Sequence, residues 1–241
     1  MKDKITILDL LPVTAQGILS PEMKADMGKF LPEGAEIRHV QIERGSVTIE
    51  CEYDEAFSAP EVIKLAMAEA GKGGVDGVFV NCFGDPGVRA VREVLSVPVF
   101  GGFEPAIYLA LGLGDTVGIV TVLKNVVPMI RGAIARAGLE KRVTSLRTLD
   151  MPVLELADRD KLMENLYAEC RKAVEEDGVS VLVMGCTGIV GVNDEMMRRL
   201  AADGYGVPVL EAAQCAVTLT ELYARMGLSQ SRLTYMPPPK K

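Results

Sequence analysis

Val78-Phe79-Val80-Asn81-Cys82-Phe83-Gly84-Asp85-Pro86-Gly87 and Val181-Leu182-Val183-Met184-Gly185-Cys186-Thr187-Gly188-Ile189-Val190 are versions of one segment. Each is an apolar run that ends in cysteine and passes into small, turn-forming residues. Each is followed by a second run with the same opening, Val97-Pro98-Val99 and Val207-Pro208-Val209, and then by a glutamate, Glu104 and Glu211. An apolar run of this length that barely alternates reads as a strand buried on both faces. A cysteine at the end of such a strand, repeated in two related halves, places two thiols at the mouths of two similar lobes. That pairing suits moving a proton from one face of a carbon to the other.

Working outward, short β-rich runs alternate with longer helical patterns. Strands are expected at 5–11, 37–41, 75–81, 97–101, 117–122, 142–149, 179–184 and 207–211, with 47–51 as a further short extended piece. Helices are expected at 21–30, 59–71, 88–95, 105–113, 126–137, 159–176, 193–202 and 212–226. Ser58 and Pro60 read as the N-cap and first residue of the helix at 59–71. This alternation predicts an α/β fold of two pseudo-symmetric lobes, each a mainly parallel sheet flanked by helices, with the active site between them. The lobes are expected at 1–100 with 212–241, and at 101–211. Ligands of open α/β sheets sit at the carboxyl ends of the strands, where Cys82 and Cys186 both fall.

Composition sets the outer bounds. The chain has 241 residues, half of them hydrophobic, with no Trp and few aromatics, so its core is aliphatic. The formal charge of −7 gives no basic face for nucleic acid. No apolar run is long enough to span a membrane, and Lys2 and Lys4 precede too short an apolar stretch for a signal peptide. Five cysteines with no close pair argue against a disulfide framework, and a single histidine, His39, argues against zinc. The natural setting is the cytoplasm. The expected partner is a small-molecule substrate, without nucleic acid or membrane, in a homo-oligomer that needs no cofactor and no metal. Pro237 to Lys241 reads as a frayed tail.

The chemistry then rests on the two matched thiols. A nucleophilic cysteine usually has a histidine base, and His39 lies in a segment with no partner motif. Two cysteines without histidine point to acid–base work, one as thiolate removing a proton and the other as thiol donating one. Backbone N–H groups and nearby helix starts are expected to hold these thiols well below the usual value of about 8.5. The bland alternative is a pair of small buried hydrophobes, which is common for cysteine. Thr121 ends a strand on the pocket side, where its hydroxyl either binds a carbonyl or serves a turn. Asp85 either caps the following helix or enters the pocket. Glu104 and Glu211 either cap the helices that follow them, the simpler reading, or buttress the site. Gly71-Lys72-Gly73-Gly74 lacks the spacing of a phosphate loop and reads as a helix end. Cys51, Cys170 and Cys215 fit strand or helix interiors.

Ser46 to Glu50, Tyr53 to Ala56, Asn81 to Gly87 and Arg89 to Glu93 resemble the hydantoin racemase branch of the aspartate/glutamate racemase superfamily, the Cys-Phe-Gly-Asp-Pro-Gly string most specifically. Pro98 to Gly101 with Glu104, Val120 to Leu123 and Gly185 to Gly188 continue the likeness in order. The resemblance covers roughly residues 46 to 225. It implies two pseudo-symmetric lobes and cofactor-independent racemisation by Cys82 and Cys186; substrate contacts are expected at Pro12, Thr14, Phe83, Gly84, Asp85, Thr121, Thr187 and Gly188. The family's opening Asn-Pro-Asn strand end corresponds here to Asp9 to Thr14, in which Pro12 and Thr14 remain and both asparagines are gone. The Cys186-Thr187 pair is closer to the amino-acid racemases. The reading is therefore an isomerase inverting an acidic carbon beside a carbonyl, on a 5-substituted hydantoin or a cyclic ureide such as allantoin. Its rivals are an amino-acid or dicarboxylate isomerase of the same superfamily and a non-catalytic binding protein.

Overall fold

The structure is a computed structural model and describes residues 4–239. Lys2 and the last residues of the Pro237–Lys241 segment lie outside that range. Its strands fall into two four-stranded, all-parallel sheets. The first holds β1 (Ile5–Leu11), β2 (Ala35–Gln41), β3 (Gly77–Val80) and β4 (Val99–Phe100) in the order β2-β1-β3-β4. The second holds β5 (Val117–Thr121), β6 (Val143–Thr148), β7 (Val181–Met184) and β8 (Val209–Glu211) in the order β6-β5-β7-β8. The two orders are the same, and so are details of the ladders. Val78 N–H bonds Pro98 O as Leu182 N–H bonds Pro208 O, both at 2.9 Å. Asn81 N–H bonds Leu10 O at 2.8 Å as Gly185 N–H bonds Val120 O at 2.7 Å. The duplication read from the cysteine segments is therefore a duplication of the fold, and the α/β class is as expected.

Helices α1 (Pro21–Met27), α2 (Glu52–Gly71), α3 (Val88–Val94), α4 (Phe103–Leu111), α5 (Val127–Ala137), α6 (Arg159–Glu175), α7 (Asn193–Ala202) and α8 (Ala212–Arg225) follow the strands in turn, one after each. Two of them tie the sheets together. Helix α4 leaves the first sheet but packs on β5, β7 and β8, burying Phe103, Ala106, Ile107 and Ala110 there. That i, i+3, i+4, i+7 spacing makes one continuous stripe. Helix α8 leaves the second sheet but packs on β1 and β3, burying Ala213, Ala216 and Val217 against Ile5, Ile7 and Phe79. The two helices also pack on each other, and the small side chains of α8 allow the close approach.

Helix α2 starts earlier than its sequence suggests. Its N-cap is Cys51, and Pro60 sits inside the helix, where only one backbone bond is lost. The acidic first turn, Glu52, Asp54 and Glu55, favours the earlier start through the helix dipole. Asp54 secures it by accepting from Glu50 N–H at 3.1 Å and from the Cys51 thiol at 3.2 Å. Ser58 is buried and accepts from Ser46 N–H instead of capping. Residues 47–51 form no strand, and Cys51 thus belongs to a cap, while Cys170 and Cys215 lie buried in α6 and α8.

Below the first sheet, Arg92 is only 3% exposed, and its guanidinium bonds Glu104 at 2.5 Å, Val99 O at 2.9 Å and the Tyr235 hydroxyl at 3.0 Å. Replacing Glu104 by alanine strands a buried cation. The expected cost is about 3 kcal/mol, read as a lower urea midpoint at unchanged slope. A loss under about 1 kcal/mol, the range of a surface ion pair, would contradict this role.

Candidate active site

Cys82 and Cys186 each lie two residues beyond their strand, β3 or β7. Each sulfur accepts the backbone N–H two residues on: Gly84 N to Cys82 Sγ and Gly188 N to Cys186 Sγ, both 3.4 Å. Both line one small cavity of about 60 Å³ between the lobes, walled by Leu11, Val13, Ile49, Asn81, Val153, Thr187 and Gly188. A chamber of about 670 Å³ adjoins it, sharing Ile18, Met23, Val153 and Gly188. The arrangement is a narrow, largely apolar slot with a thiol from each lobe, next to a roomier space for the rest of a ligand.

The surroundings set the thiols the opposite way from the sequence expectation. Burial pushes Cys186 up to about 11 and Cys82 up further, against the lowering pull of the Gly84 and Gly188 amides. Neither cysteine sits in the first turn of the helix that follows it, since α3 begins at Val88 and α7 at Asn193. A negative charge on Cys186 adds to the rise on Cys82, so the two sulfurs feel each other across the slot. All five cysteines are free thiols.

The other residues singled out in the sequence fall into distinct places. Thr187 and Gly188 line the cavity, whereas Phe83 is buried edge-on against Phe103, and Gly84 offers its amide to Cys82. Thr121 is fully buried and donates its hydroxyl to Gly185 O at 2.7 Å, so it braces the strand end just before Cys186. Pro12 is buried, and Thr14 is bound to Ser46 O through its N–H at 2.9 Å and its hydroxyl at 3.2 Å. Their neighbours Leu11 and Val13 face the slot instead, because successive extended residues point opposite ways.

Asp85 does not cap α3, whose N-cap is Gly87. Its carboxylate accepts from Phe103 N–H at the start of α4 at 3.2 Å, and burial raises it to about 7. Gly101 makes room for it: a Cβ there would lie 2.0 Å from Asp85 Oδ1. Glu211 occupies the N-cap position of α8, but its side chain makes no cap bond there. It accepts from Gly191 N–H at 2.9 Å, Val192 N–H at 2.6 Å and Asn193 N–H at 2.9 Å, and so caps α7. Glu104 bonds Arg92. The two glutamates are not equivalent: matching Pro98 with Pro208 pairs Glu104 with Gln214 and Glu211 with Gly101. In both lobes a carboxylate ties the loop after the cysteine to the next strand–helix corner. The first lobe supplies it from the loop (Asp85), the second from the corner (Glu211).

Sequence reading missed several wall residues and one polar group. Leu11, Val13, Ile49 and Val153 carry no sequence signal beyond being apolar. Glu50, whose carboxylate accepts from Val153 N–H at 2.6 Å, fastens the wall across the two lobes. His39 does have a partner: Asp9 stands opposite it in the β1–β2 register, with Nδ1 and Oδ2 2.6 Å apart. Asn81 was signalled only as a polar residue ending an apolar run. Among the described residues, no group of three His, Cys, Asp or Glu could hold a metal ion, and no helix is long and apolar enough to cross a membrane.

Comparison with known proteins agrees with this geometry. The Asp/Glu/Hydantoin racemase family profile matches residues 21–220. A hydantoin racemase of Pseudomonas sp. (strain NS671) is 36% identical over 199 residues, covering 82% of this chain and 78% of that protein. Among solved structures, an allantoin racemase from Klebsiella pneumoniae superposes with a TM-score of 0.89 at 31% identity, covering 99% of this chain and 95% of that one. An allantoin racemase from Pseudomonas fluorescens gives 0.89 at 32%, covering 98% and 99%. With its two matched sheets, a thiol at the mouth of each, and a profile match spanning most of its length, this chain belongs to the Asp/Glu/hydantoin racemase family.

Proposed function

We propose that this protein is a cofactor-independent racemase of a cyclic ureide, a 5-substituted hydantoin or allantoin, with Cys82 and Cys186 as its acid–base pair. One observation carries the reading: two sulfurs from equivalent positions of a duplicated fold line one small slot, each held by the amide two residues on. The names of its relatives, hydantoin and allantoin racemases, support the substrate class.

In the reaction, one cysteine enters as thiolate and the other as thiol. The thiolate takes the proton from the ring carbon beside the carbonyl, and the C–H electron pair moves into the carbonyl as an enolate. The opposite thiol returns a proton to the other face, and the pair re-forms a C–H bond. The enzyme is left with its two protonation states exchanged. Gly84 and Gly188 amides serve the sulfurs, so the Phe83 and Thr187 amides are the donors we assign to the developing oxyanion. Asp85 and Glu211 hold the loops that carry these donors. The free thiols fit a reducing compartment, and we place the enzyme in the cytoplasm.

Chiral chromatography of single enantiomers of a 5-alkylhydantoin, allantoin, aspartate and glutamate tests the reading. The cyclic ureides are expected to racemise, with full activity after exhaustive chelation by EDTA. Iodoacetamide is expected to abolish activity, with substrate shielding Cys82 and Cys186 from labelling but not Cys51. Turnover confined to aspartate or glutamate would transfer the enzyme to the amino-acid racemases. Full activity with both slot cysteines alkylated would remove the thiol mechanism.

A further inference from the structure

The duplicated fold contains its own control. The hydrogen bonds that align the lobes pair Leu10 with Val120 and Asn81 with Gly185, so Asp9 corresponds to Ile119. Across the neighbouring strand, Asp9 faces His39 where Ile119 faces Leu146. Three polar residues of the first lobe, Asp9, His39 and Asn81, therefore stand where the second has Ile119, Leu146 and Gly185. The fold is complete without them, so their presence in one lobe calls for another reason.

Their chemistry runs in one direction. Asp9 is 0% exposed and points to the same sheet face as Ile5 and Ile7, as alternation requires. Phe79 of the adjacent strand pairs with Asp9 on that face, and Asn81 follows two residues on, just past the strand end. Asp9 Oδ2 is taken by His39 Nδ1 at 2.6 Å, while Oδ1 completes no hydrogen bond. Whether the proton between them sits on oxygen or nitrogen, Oδ1 keeps only lone pairs and attracts a donor. Burial raises this carboxyl above the ordinary carboxylate range, while the His39 ring and the neighbouring Asn81 amide pull the other way. An asparagine amide has one donor end and one acceptor end, and its network decides which way each points.

We infer that Asn81 selects the substrate: Asp9 claims its NH₂, so its carbonyl Oδ1 faces the slot beside Cys82 and accepts a hydrogen bond from a ring N–H of the ligand. This rests on the cyclic-ureide reading and adds to it. Such a ring carries N–H donors next to the reacting carbon, and a buried acceptor left without one discriminates strongly. Asp9 acts as a positioning residue through Asn81, and His39 holds Asp9.

The test compares a 5-alkylhydantoin with its N1-methyl and N3-methyl derivatives. Wild type is expected to lose 10- to 100-fold in kcat/KM on one of the two. A methyl group also adds bulk, so the variants separate the causes. Asn81→Leu keeps the volume and removes the acceptor. It is expected to be 10- to 100-fold slower on the parent while racemising that methylated ring no more slowly than the parent. Asp9→Asn leaves position 81 intact but can donate to Asn81 Oδ1 and turn the amide, so it is expected to cut the wild-type preference at least threefold even if the leucine variant fails to fold. Protection of Cys82 from iodoacetamide by the same ligands gives a readout independent of turnover. Parent protection that the methylated ring lacks, without any racemisation, would retain Asn81 as the selector and reject the racemase reading. Equal racemisation of all three rings by wild type, a preference unchanged in Asp9→Asn, or protection by none of them with no turnover would overturn the inference.

Discussion

Replacing either Cys82 or Cys186 by serine is expected to lower racemisation about a thousandfold or more, because the hydroxyl replaces neither the thiolate base nor the thiol acid. The informative result lies in what survives. In Cys82→Ser the remaining thiol reaches only one face of the carbon. In deuterated water it is expected to exchange the proton of one enantiomer with retention, and Cys186→Ser to exchange that of the other. The complementary pattern follows from the positions of the sulfurs, one from each lobe on the same slot. Proton NMR of the α-carbon signal of each enantiomer reads it directly. Exchange of both enantiomers by one mutant, or near-normal racemisation by either, would exclude the two-base mechanism.

The second large effect concerns pH. Burial raises both thiols, Cys186 to about 11 and Cys82 beyond it, so the free enzyme near neutrality holds both protons. Catalysis needs one of them removed. At pH 8 a group titrating near 11 is ionised about one part in a thousand. The sign is therefore fixed: kcat/KM is expected to climb about tenfold per pH unit from 7 to 10, roughly a thousandfold in all. It should fall only at higher pH, when the second thiol also ionises. The limbs report the coupled pair, not either cysteine alone. A plateau or maximum between pH 7 and 8 would mean that the amides of Gly84 and Gly188 outweigh burial. Iodoacetamide labelling of the two slot cysteines is expected to rise over the same pH range, since the same thiolate is attacked.

Much of this architecture was legible along the chain. The two cysteine segments announced the duplication, and the alternation of buried runs with helical patterns gave the order of elements within a few residues. Such patterns are local: a strand covered on both faces must be apolar throughout, and a helix stripe must repeat every three to four residues. The misreadings came where local rules compete. Pro60 resembled a helix start, yet the acidic turn at Glu52 to Glu55 and the reach of Asp54 set the start earlier. Glu104 and Glu211 looked like a matched pair, yet strand register shows that they occupy different positions and serve different partners.

The sequence by itself determined the pair of thiols, the α/β class and the turns that carry each cysteine, because composition, period and turn chemistry are properties of neighbours along the chain. Tertiary structure alone decided how those thiols titrate, which residues wall the slot, and what Asp9, His39 and Asn81 do together. Burial is a sum over surroundings supplied by distant segments, and the turn at Cys82 reads the same whether it faces water or the wall made by Leu11, Ile49 and Val153. The exchange of carboxylates between Asp85 and Glu211 likewise exists only across a strand–helix corner, where residues far apart in the chain meet.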